Sequence, residues 1–446
     1  QGSHDMFGTG KKNDIRRQSE VSLTRTPAPD LLIVASELVI RDRERLSAEA
    51  LQLPTGQLCE AMLPNDSRLA SVDSPYVLSL FNNPLDIDFL ADKVIAARNA
   101  GGNTVLIVAI NPSQLVALGQ WLERRAVAGK LAGTRLLLAA DVDGVARQLV
   151  QRMGPVTEEN VIRMPVTTEV DTPTYKNFFV FSPELQTLVA RIRGFAANGI
   201  SRACLLGGPG SGKTTLAYYY FLQRAKGRFV SVNLAAENVG DKAAIKSLLC
   251  GHVSGAFPGA GARTGTFQHA RDGVCFLDES HEISGAVMEV LMEALDSGQY
   301  LPYGASAKQQ LECAILYATN RSWNHLQNSV NLDQFTRLGA STLQVPELSR
   351  REEDMIAVIA TTLTRLSARC SNWVAPTGLS VEAWTMVREC RWHGNIRGLV
   401  RVLESAFVDT ATLRAGDTLI HAPEIQQGIL LWEPKTHHSH QIYAVA

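Results

Sequence analysis

The stretch that decides the fold reads Gly207-Gly208-Pro209-Gly210-Ser211-Gly212-Lys213-Thr214, with Thr215 directly after it. It lies between an apolar, strand-like run at 204–206 and a helical pattern over 215–225. Glycines let the backbone wrap closely around a phosphate, and the amides at the start of the next helix face the anion. A chance glycine-rich turn would lack this strand–loop–helix setting. The pattern G-x-x-x-x-G-K-T therefore predicts a nucleotide-phosphate site.

Within that site, Lys213 is predicted to place its charge against the β- and γ-phosphates of ATP, and the Thr214 hydroxyl to coordinate Mg²⁺. A second apolar run, 274–277, ends in the carboxylates Asp278 and Glu279. The carboxyl ends of parallel strands meet at one sheet edge, so Asp278 is expected to hold Mg²⁺ and Glu279 to polarise the attacking water. The letters D-E-S-H at 278–281 also spell a helicase box, but no second helicase core accompanies them.

Length and composition limit the class of protein. At 446 residues the chain is expected to form two or three domains. Its 45% hydrophobic and 20% charged residues are typical of a soluble globular protein, and a net charge of −1 argues against holding nucleic acid by bulk electrostatics. Seven scattered cysteines without C-x-x-C spacing indicate reduced thiols, and no apolar run is long enough to span a membrane. We therefore expect a cytoplasmic protein without a membrane partner.

Composition and periodicity along the chain predict an α/β fold in six regions. These are a tag remnant and flexible leader (1–28), a small α/β regulatory domain (29–165), a linker (166–177), an α/β core with the phosphate loop (178–346), a helical lid (347–432) and a tail (433–446). In the regulatory domain, strands are predicted at 31–36, 76–81, 104–110 and 134–140, and helices at 86–100, 114–128 and 143–153. Buried apolar strands that alternate with helices predict a parallel sheet. The histidines of the tail indicate a polar terminal tract more than a metal site.

Six further stretches, in the correct order, resemble the AAA+ domain of bacterial enhancer-binding proteins, which activate sigma-54 RNA polymerase. The resemblance extends from about 182 to 429. The stretches are 229–236 (F-V-S-V-N-L-A-A), 251–260 (G-H-V-S-G-A-F-P-G-A), 263–267 (R-T-G-T-F), 318–321 (A-T-N-R), 348–355 (containing R-E-E-D) and 392–399 (W-H-G-N-I-R-G-L). The resemblance implies an ATPase that self-associates, from a dimer up to a hexameric ring, and remodels sigma-54 holoenzyme.

The same resemblance implies roles for particular residues. Asn233 takes the place of an asparagine that holds the catalytic Glu279 inactive until ring contacts form. Asn320 takes the place of the sensor that reads the γ-phosphate, Arg397 that of the lid residue on the nucleotide, and Arg337 that of an arginine that reaches into the neighbouring subunit's site. A partner loop, formed by Gly255, Ala256, Phe257, Pro258, Gly259 and Ala260, would present an exposed aromatic ring to sigma-54. The alternative for that ring is a buried staple.

Three features depart from the family pattern. Pro258 stands where the family has threonine, and proline fixes φ and removes both a donor and a hydroxyl. Asn331 stands where a second arginine is expected, and a neutral amide cannot stabilise a transferring phosphate comparably. Only about seventeen residues follow 429, too few for the family's helix-turn-helix, so DNA binding is expected only if a missing domain supplies it. These departures leave open a relative that keeps ATP binding and acts through another partner as a regulator or nucleotide-gated scaffold.

The regulatory domain is predicted to be a degenerate form of the phosphorylatable receiver that family members often carry. A receiver needs an acidic cluster after its first strand, an Asp after the third and a Lys after the fifth. Here the predicted strands end at Glu37, Asn82-Asn83, Asn111 and Asp141. Phosphoryl chemistry is therefore not expected, and dimerisation or ligand sensing is. Asp141 is expected to cap a helix more than to bind Mg²⁺.

Overall fold

A computed structural model describes residues 28–166, 175–237, 241–280, 285–320, 341–370 and 373–433. The predicted α/β class is confirmed. Two five-stranded parallel sheets follow one another along the chain, and a mostly helical segment comes after them. Across those described ranges, no helix is both long and apolar enough to cross a membrane.

The first sheet is built from strands with helices packed on both of its faces. Its strands are Leu31–Ala35 (β1), Cys59–Met62 (β2), Tyr76–Leu80 (β3), Val105–Ile110 (β4) and Thr134–Leu138 (β5), in the order β2-β1-β3-β4-β5. The helices are Glu37–Ile40 (α1), Asp88–Asn99 (α2), Leu115–Val127 (α3) and Val142–Arg152 (α4). The sequence did not predict β2. Its residues C-E-A-M form an edge strand, which pairs on one side only and needs no continuous apolar run.

An antiparallel ribbon leads from the first sheet towards the second. It consists of Val161–Pro165 (β6) and Tyr175–Phe179 (β7), with Val161 opposite Phe179 and Pro165 opposite Tyr175. Residues 175–177, predicted to lie in a linker, therefore belong to a strand. Their backbone pairs with β6, and such pairing across the chain leaves no signature in local composition.

The second sheet carries the phosphate loop. Its strands are Arg202–Leu206 (β8), Phe229–Asn233 (β9), Val274–Asp278 (β12), Ala314–Thr319 (β15) and Thr342–Gln344 (β16), in the order β16-β8-β15-β12-β9. Two hairpins accompany it: Gly251–His252 (β10) with Arg263–Thr264 (β11), and Gln299–Tyr300 (β13) with Gln309–Gln310 (β14). The helices are Pro183–Ala197 (α5), Lys213–Arg224 (α6), Lys242–Cys250 (α7), Thr266–His269 (α8) and Gly285–Ser297 (α9). All five strands are parallel, so β8, β12, β9 and β15 end at one edge of the sheet.

The segment after the second sheet packs against the first one. It contains Glu352–Ser367 (α10), Val381–Glu389 (α11), Asn395–Leu413 (α12) and Ala422–Trp432 (α13), with the short parallel strands Gly378–Leu379 (β17) and Leu419–Ile420 (β18). One hydrophobic cluster joins residues of the first sheet, such as Leu106 and Leu136, to Met355, Ile359 and Leu403 of these helices. The N-terminal sheet and the lid helices thus share a single core.

Candidate nucleotide site

The phosphate loop connects β8 to α6 and turns on two glycines. Gly210 has φ of 71° and Gly212 of 103°, both in the left-handed region that favours glycine. A Cβ on Gly212 would lie 2.2 Å from the Phe178 ring, and one on Gly210 would lie 2.7 Å from the Gly394 carbonyl oxygen. Helix α6 begins at Lys213, so its first amides face the loop. Larger residues at the two glycines would therefore break the anion-binding turn.

The Lys213 side chain lies within this loop. Its Nζ donates to the carbonyl oxygen of Gly207 at 2.8 Å and to that of Gly208 at 3.1 Å. Burial lowers the pKa of Lys213, and the negative charges of Asp278 and Glu279 oppose that shift. The ammonium is thus held where the loop and the two carboxylates converge.

The two carboxylates lie at the end of β12, beside the start of α6. Thr214 Oγ1 is 3.5 Å from Asp278 Oδ2, and both residues line an open cavity of about 710 Å³. Oxygen donors in this arrangement fit Mg²⁺, which prefers oxygen ligands. Glu279 has φ of 52°, a left-handed conformation that is uncommon outside glycine and concentrates at functional sites.

Two of the predicted polar residues lie on strands of the same sheet edge. Asn233 ends β9 and is paired in register with Asp278 of β12. Its Oδ1 accepts the N–H of Ala235 at 3.0 Å. Asn320 directly follows β15, the strand between β8 and β12. Both asparagines therefore end strands adjacent to the one that carries the carboxylates.

The lid helices close the cavity from the other side. Arg397 lines the cavity. Its Cβ packs closely on the phosphate loop, because a Cβ added to Gly210 would lie only 2.8 Å from it. Asn395, two residues earlier, is buried; its Nδ2 donates to the Pro209 carbonyl oxygen at 3.2 Å, and its Oδ1 accepts the N–H of Leu348 at 3.0 Å. Sequence reasoning gave Asn395 no role. Its place in the W-H-G-N-I-R-G-L stretch was the available signal.

A buried ion pair contacts the phosphate loop, and the sequence did not predict it either. Arg351 Nε donates to Asp354 at 3.1 Å, and its Nη1 donates to the Ser211 carbonyl oxygen at 3.2 Å. The guanidinium lies 5.4 Å from the centroid of the Phe178 ring. Asp354 in turn accepts the N–H of Phe181 at 2.6 Å. The letters R-E-E-D marked this stretch, but only the fold places it against the loop.

The lining of the cavity indicates the kind of ligand it fits. Arg351 Nη2 and Ser211 Oγ are buried and have no hydrogen-bond partner among the described residues, although both residues line the cavity. Buried polar groups are normally satisfied, so a ligand is a natural partner for them. Apolar wall is supplied by Val358, Ile396 and Val400. A nucleoside triphosphate suits this lining, because its phosphates fit the cationic and polar groups and its base fits the apolar wall.

The partner loop, residues 255–260, connects β10 to β11 directly after α7. The N–H of Gly255 donates to the Ala260 carbonyl oxygen at 2.9 Å and closes the loop. The Phe257 side chain is 43% exposed, and its ring centroid lies 5.0 Å from that of His252 and 6.4 Å from that of Tyr303. The ring therefore packs on one side and faces solvent on the other.

The strand ends of the first sheet carry amides where a receiver has acids. Asn82 Nδ2 donates to the Val34 carbonyl oxygen at 2.8 Å and to Ser79 Oγ at 3.0 Å. Asp141 caps α4, as predicted, by accepting the N–H of Gly144 at 2.7 Å. Arg337 and Asn331, the residues predicted at the neighbouring subunit's site, lie outside the described residues.

Comparison with known proteins places this site in a wider group. Residues 179–344 match the family described as the sigma-54 interaction domain. The Nif-specific regulatory protein of Herbaspirillum seropedicae is 31% identical over 248 residues, 54% of this chain and 44% of that protein. A putative uric acid sigma-54-dependent transcriptional regulator of Escherichia coli, UacR, is 31% identical over 229 residues, 50% of this chain and 37% of that protein. The chain thus spans less than half the length of both relatives.

Among solved structures, NtrX from Brucella abortus in complex with ATP aligns over 94% of this chain and 89% of that chain, at 18% identity and a TM-score of 0.47. At this TM-score and identity, the alignment with NtrX carries no further conclusion about the fold. The family match covers the second sheet together with its phosphate loop, carboxylates and partner loop. Over residues 179–344 the chain is therefore similar to the sigma-54 interaction domain of sigma-54-dependent transcriptional regulators.

Proposed function

We propose that this chain is an ATP-hydrolysing transcriptional regulator of the enhancer-binding class, which assembles into a ring and remodels sigma-54 RNA polymerase holoenzyme. The observation that carries the proposal is the convergence of Lys213, Asp278 and Glu279 at one sheet edge, on a cavity of about 710 Å³. The loop amides and Lys213 bind the phosphates of ATP. Thr214 and Asp278 would hold Mg²⁺, which would offset the negative charge of the phosphates.

Hydrolysis then depends on the placement of a water molecule. Glu279 polarises the water for in-line attack on the γ-phosphate, and Asn233, at the adjacent strand end, restrains Glu279 until subunits meet. Asn320 reads the γ-phosphate from the end of β15, and Arg397 contacts the nucleotide from the lid. Arg337 of a neighbouring subunit supplies positive charge to the transition state, which couples chemistry to assembly.

The partner loop at residues 255–260 transmits the effect of ATP hydrolysis to the partner protein. The loop is joined to α7 through the short strand β10, so a movement of that helix with the nucleotide state is passed to the loop. The exposed side of the Phe257 ring is the contact offered to sigma-54.

A second candidate function follows from one residue of that loop. Pro258 is exposed beside Phe257, and it lacks the hydroxyl and N–H of the family's threonine. In this candidate the chain keeps ATP binding and acts through a partner other than sigma-54, as a regulator or nucleotide-gated scaffold.

Capture of sigma-54 holoenzyme on immobilised protein separates the two candidates. The assay is run with a transition-state mimic of ATP, with ADP, and without nucleotide. Capture by wild-type protein only with the mimic supports sigma-54 remodelling, and Phe257→Ala should then abolish it. If neither wild-type protein nor Pro258→Thr captures the holoenzyme, while both bind the mimic, the first candidate is wrong and the second stands.

A further inference from the structure

The first turn of α10 is hydrogen-bonded to the N-terminal sheet. Glu353 and Arg135 of β5 are each 2% exposed, and Arg135 Nε donates to the two oxygens of Glu353 at 2.8 and 3.0 Å. The N–H of Leu136 donates to the same carboxylate at 3.0 Å. Next to it, Arg152 of α4 donates to Glu352 at 2.7 Å. Two consecutive glutamates of the lid helix are thus held by the N-terminal domain.

The residues that flank these glutamates hold the nucleotide site. Arg351 bonds the Ser211 carbonyl oxygen of the phosphate loop, and Asp354 bonds the N–H of Phe181 just after β7. Arg351 is the N-cap of α10, and residues 352 to 354 form the first turn of that helix, over which a helix is stiff. Any shift of Glu353 relative to the core would therefore displace Arg351 from the loop.

The N-terminal domain also contacts the core and contributes to the lining of the nucleotide cavity. Glu123 of α3 lines the cavity, as does the lid residue Arg365. Asn160, just before β6, donates from Nδ2 to the carbonyl oxygens of Thr134 in the N-terminal sheet and Val180 in the core, each at 3.1 Å. The domain therefore contacts both the lid and the core.

Stability alone is a poor reason for the Arg135–Glu353 pair. Burying two charges costs desolvation, and apolar residues of similar volume often stabilise a core as well or better. What the pair provides is geometry, because a planar guanidinium on a carboxylate fixes both distance and angle.

We propose that Arg135 is a positioning residue of the nucleotide site. The docked N-terminal domain sets the position of α10 through Glu353, and α10 holds the phosphate loop through Arg351. Nucleotide affinity then depends on a residue of a domain that contributes no phosphate ligand. This rests on the proposed nucleotide binding.

Affinity for a fluorescent ADP analogue tests the proposal in the full chain. Arg135→Met removes the closest cation from the buried Glu353 and leaves Arg152 Nε 3.7 Å from its carboxylate. The double variant Arg135→Met/Glu353→Met is therefore made beside it, because it removes both charges of the pair. The matched control is Arg125→Met, because Arg125 is a buried arginine of the same domain that pairs with Asp92 of α2. Thermal unfolding of each variant is recorded in parallel.

The Arg135→Met and double variants are expected to bind the analogue at least about tenfold more weakly, while Arg125→Met loses thermal stability and stays within about twofold of wild type. Wild-type affinity in a folded double variant would overturn the proposal, as would an equal loss in Arg125→Met. Failure of the wild-type protein to bind nucleotide would instead refute the proposed function.

Hydrogen exchange on the wild-type protein gives a readout that needs no variant. Coupling between two sites is reciprocal, so nucleotide must strengthen the docking that strengthens nucleotide binding. ADP is expected to slow exchange in β5, where the Leu136 amide bonds Glu353, more than in α2, because the hydrogen bonds of Glu352 and Glu353 among the described residues go to β5 and α4. Equal or unchanged exchange in the two elements would contradict the proposal.

Discussion

Two residues that line or contact the candidate nucleotide site have a backbone conformation that residues other than glycine rarely adopt. Glu279 has φ of 52° and Asn395 has φ of 47°, both in the left-handed region. Such conformations cost on the order of 1–3 kcal/mol each and persist only where the surroundings enforce them. For Asn395 the enforcing contacts are its bonds to Pro209 and Leu348.

Glu279→Gln tests the catalytic role at the level of one atom. The amide keeps the shape of the side chain but cannot polarise water as a carboxylate does, so phosphate release should fall by at least about 100-fold. Binding of a fluorescent ATP analogue should be retained. Lys213→Ala is the contrasting variant, since it should lose binding itself. A Glu279→Gln protein that no longer binds ATP would show that the assigned role is wrong.

Asn395→Ala tests whether the lid helix α12 holds the phosphate loop. Its amide bonds Pro209 of the loop and Leu348 of the core–lid connection, and losing buried hydrogen bonds costs about 1–3 kcal/mol. ATP affinity is therefore expected to fall about 5- to 150-fold in equilibrium titrations. Asn82→Ala is the control, because Asn82 makes two comparable bonds far along the chain in the N-terminal sheet. Equal affinities of the two variants would argue against the lid–loop contact.

Among the elements, the crossing of α3 and α10 joins the N-terminal domain to the lid. The helices meet at Gly119, where an added Cβ would come within 2.3 Å of both the Ala360 carbonyl oxygen and Thr364 Oγ1. Thr364 Oγ1 also donates to the Val116 carbonyl oxygen at 3.0 Å across the crossing. A backbone approach this close leaves no room for a side chain and keeps the two helices in one relative position.

Gly119→Ala should accordingly destabilise the protein, although alanine favours helices. The methyl group forces the two backbones apart, at a cost of about 1–3 kcal/mol in urea unfolding. Gly194→Ala in α5 is the matched control: nothing lies within 4 Å of its Cβ, so a gain of roughly 0.5–1 kcal/mol is expected. A Gly119→Ala protein as stable as the control would mean that the helices do not pack this closely.

At the scale of the whole molecule, the N-terminal sheet and the lid share one hydrophobic core, whereas the second sheet has clusters of its own. The hydrophobic cluster that runs from Leu106 and Leu136 to Met355 and Leu403 crosses what the sequence predicts as separate domains. An N-terminal domain held in this way can influence the cavity directly, through α10.

Assembly itself is tested by mixing inactive subunits. If Arg337 acts in a neighbouring subunit's site, Arg337→Ala alone should hydrolyse little ATP, and Lys213→Ala alone none. In a mixture, the intact phosphate loop of the first variant can meet the intact Arg337 of the second, so activity should return. Mixing Lys213→Ala with Glu279→Gln is the control and should restore less, because neither variant supplies a complete loop and carboxylate. No recovery in the first mixture would argue against a shared site.

Local signals in the sequence were sufficient for the fold class and for the residues of the phosphate loop. The reason is that Gly207–Thr214, Asp278 and Glu279 are short-range patterns tied to strand ends, and parallel strands bring their ends together in any sheet of this kind. The sequence did not predict β2 or the strand over 175–179, because each is defined by pairing with another strand more than by its own composition.

What the sequence by itself determined is which residue types meet at one edge of the second sheet: a glycine-rich loop, a lysine and two carboxylates. Only the tertiary structure decided how that site is held. Arg135 and Glu353 are 218 positions apart, and Asn395 and Pro209 are 186 apart. No local pattern encodes such pairs. They form because burying the apolar faces of the N-terminal sheet and the lid against each other brings these polar groups together, where each must find a partner.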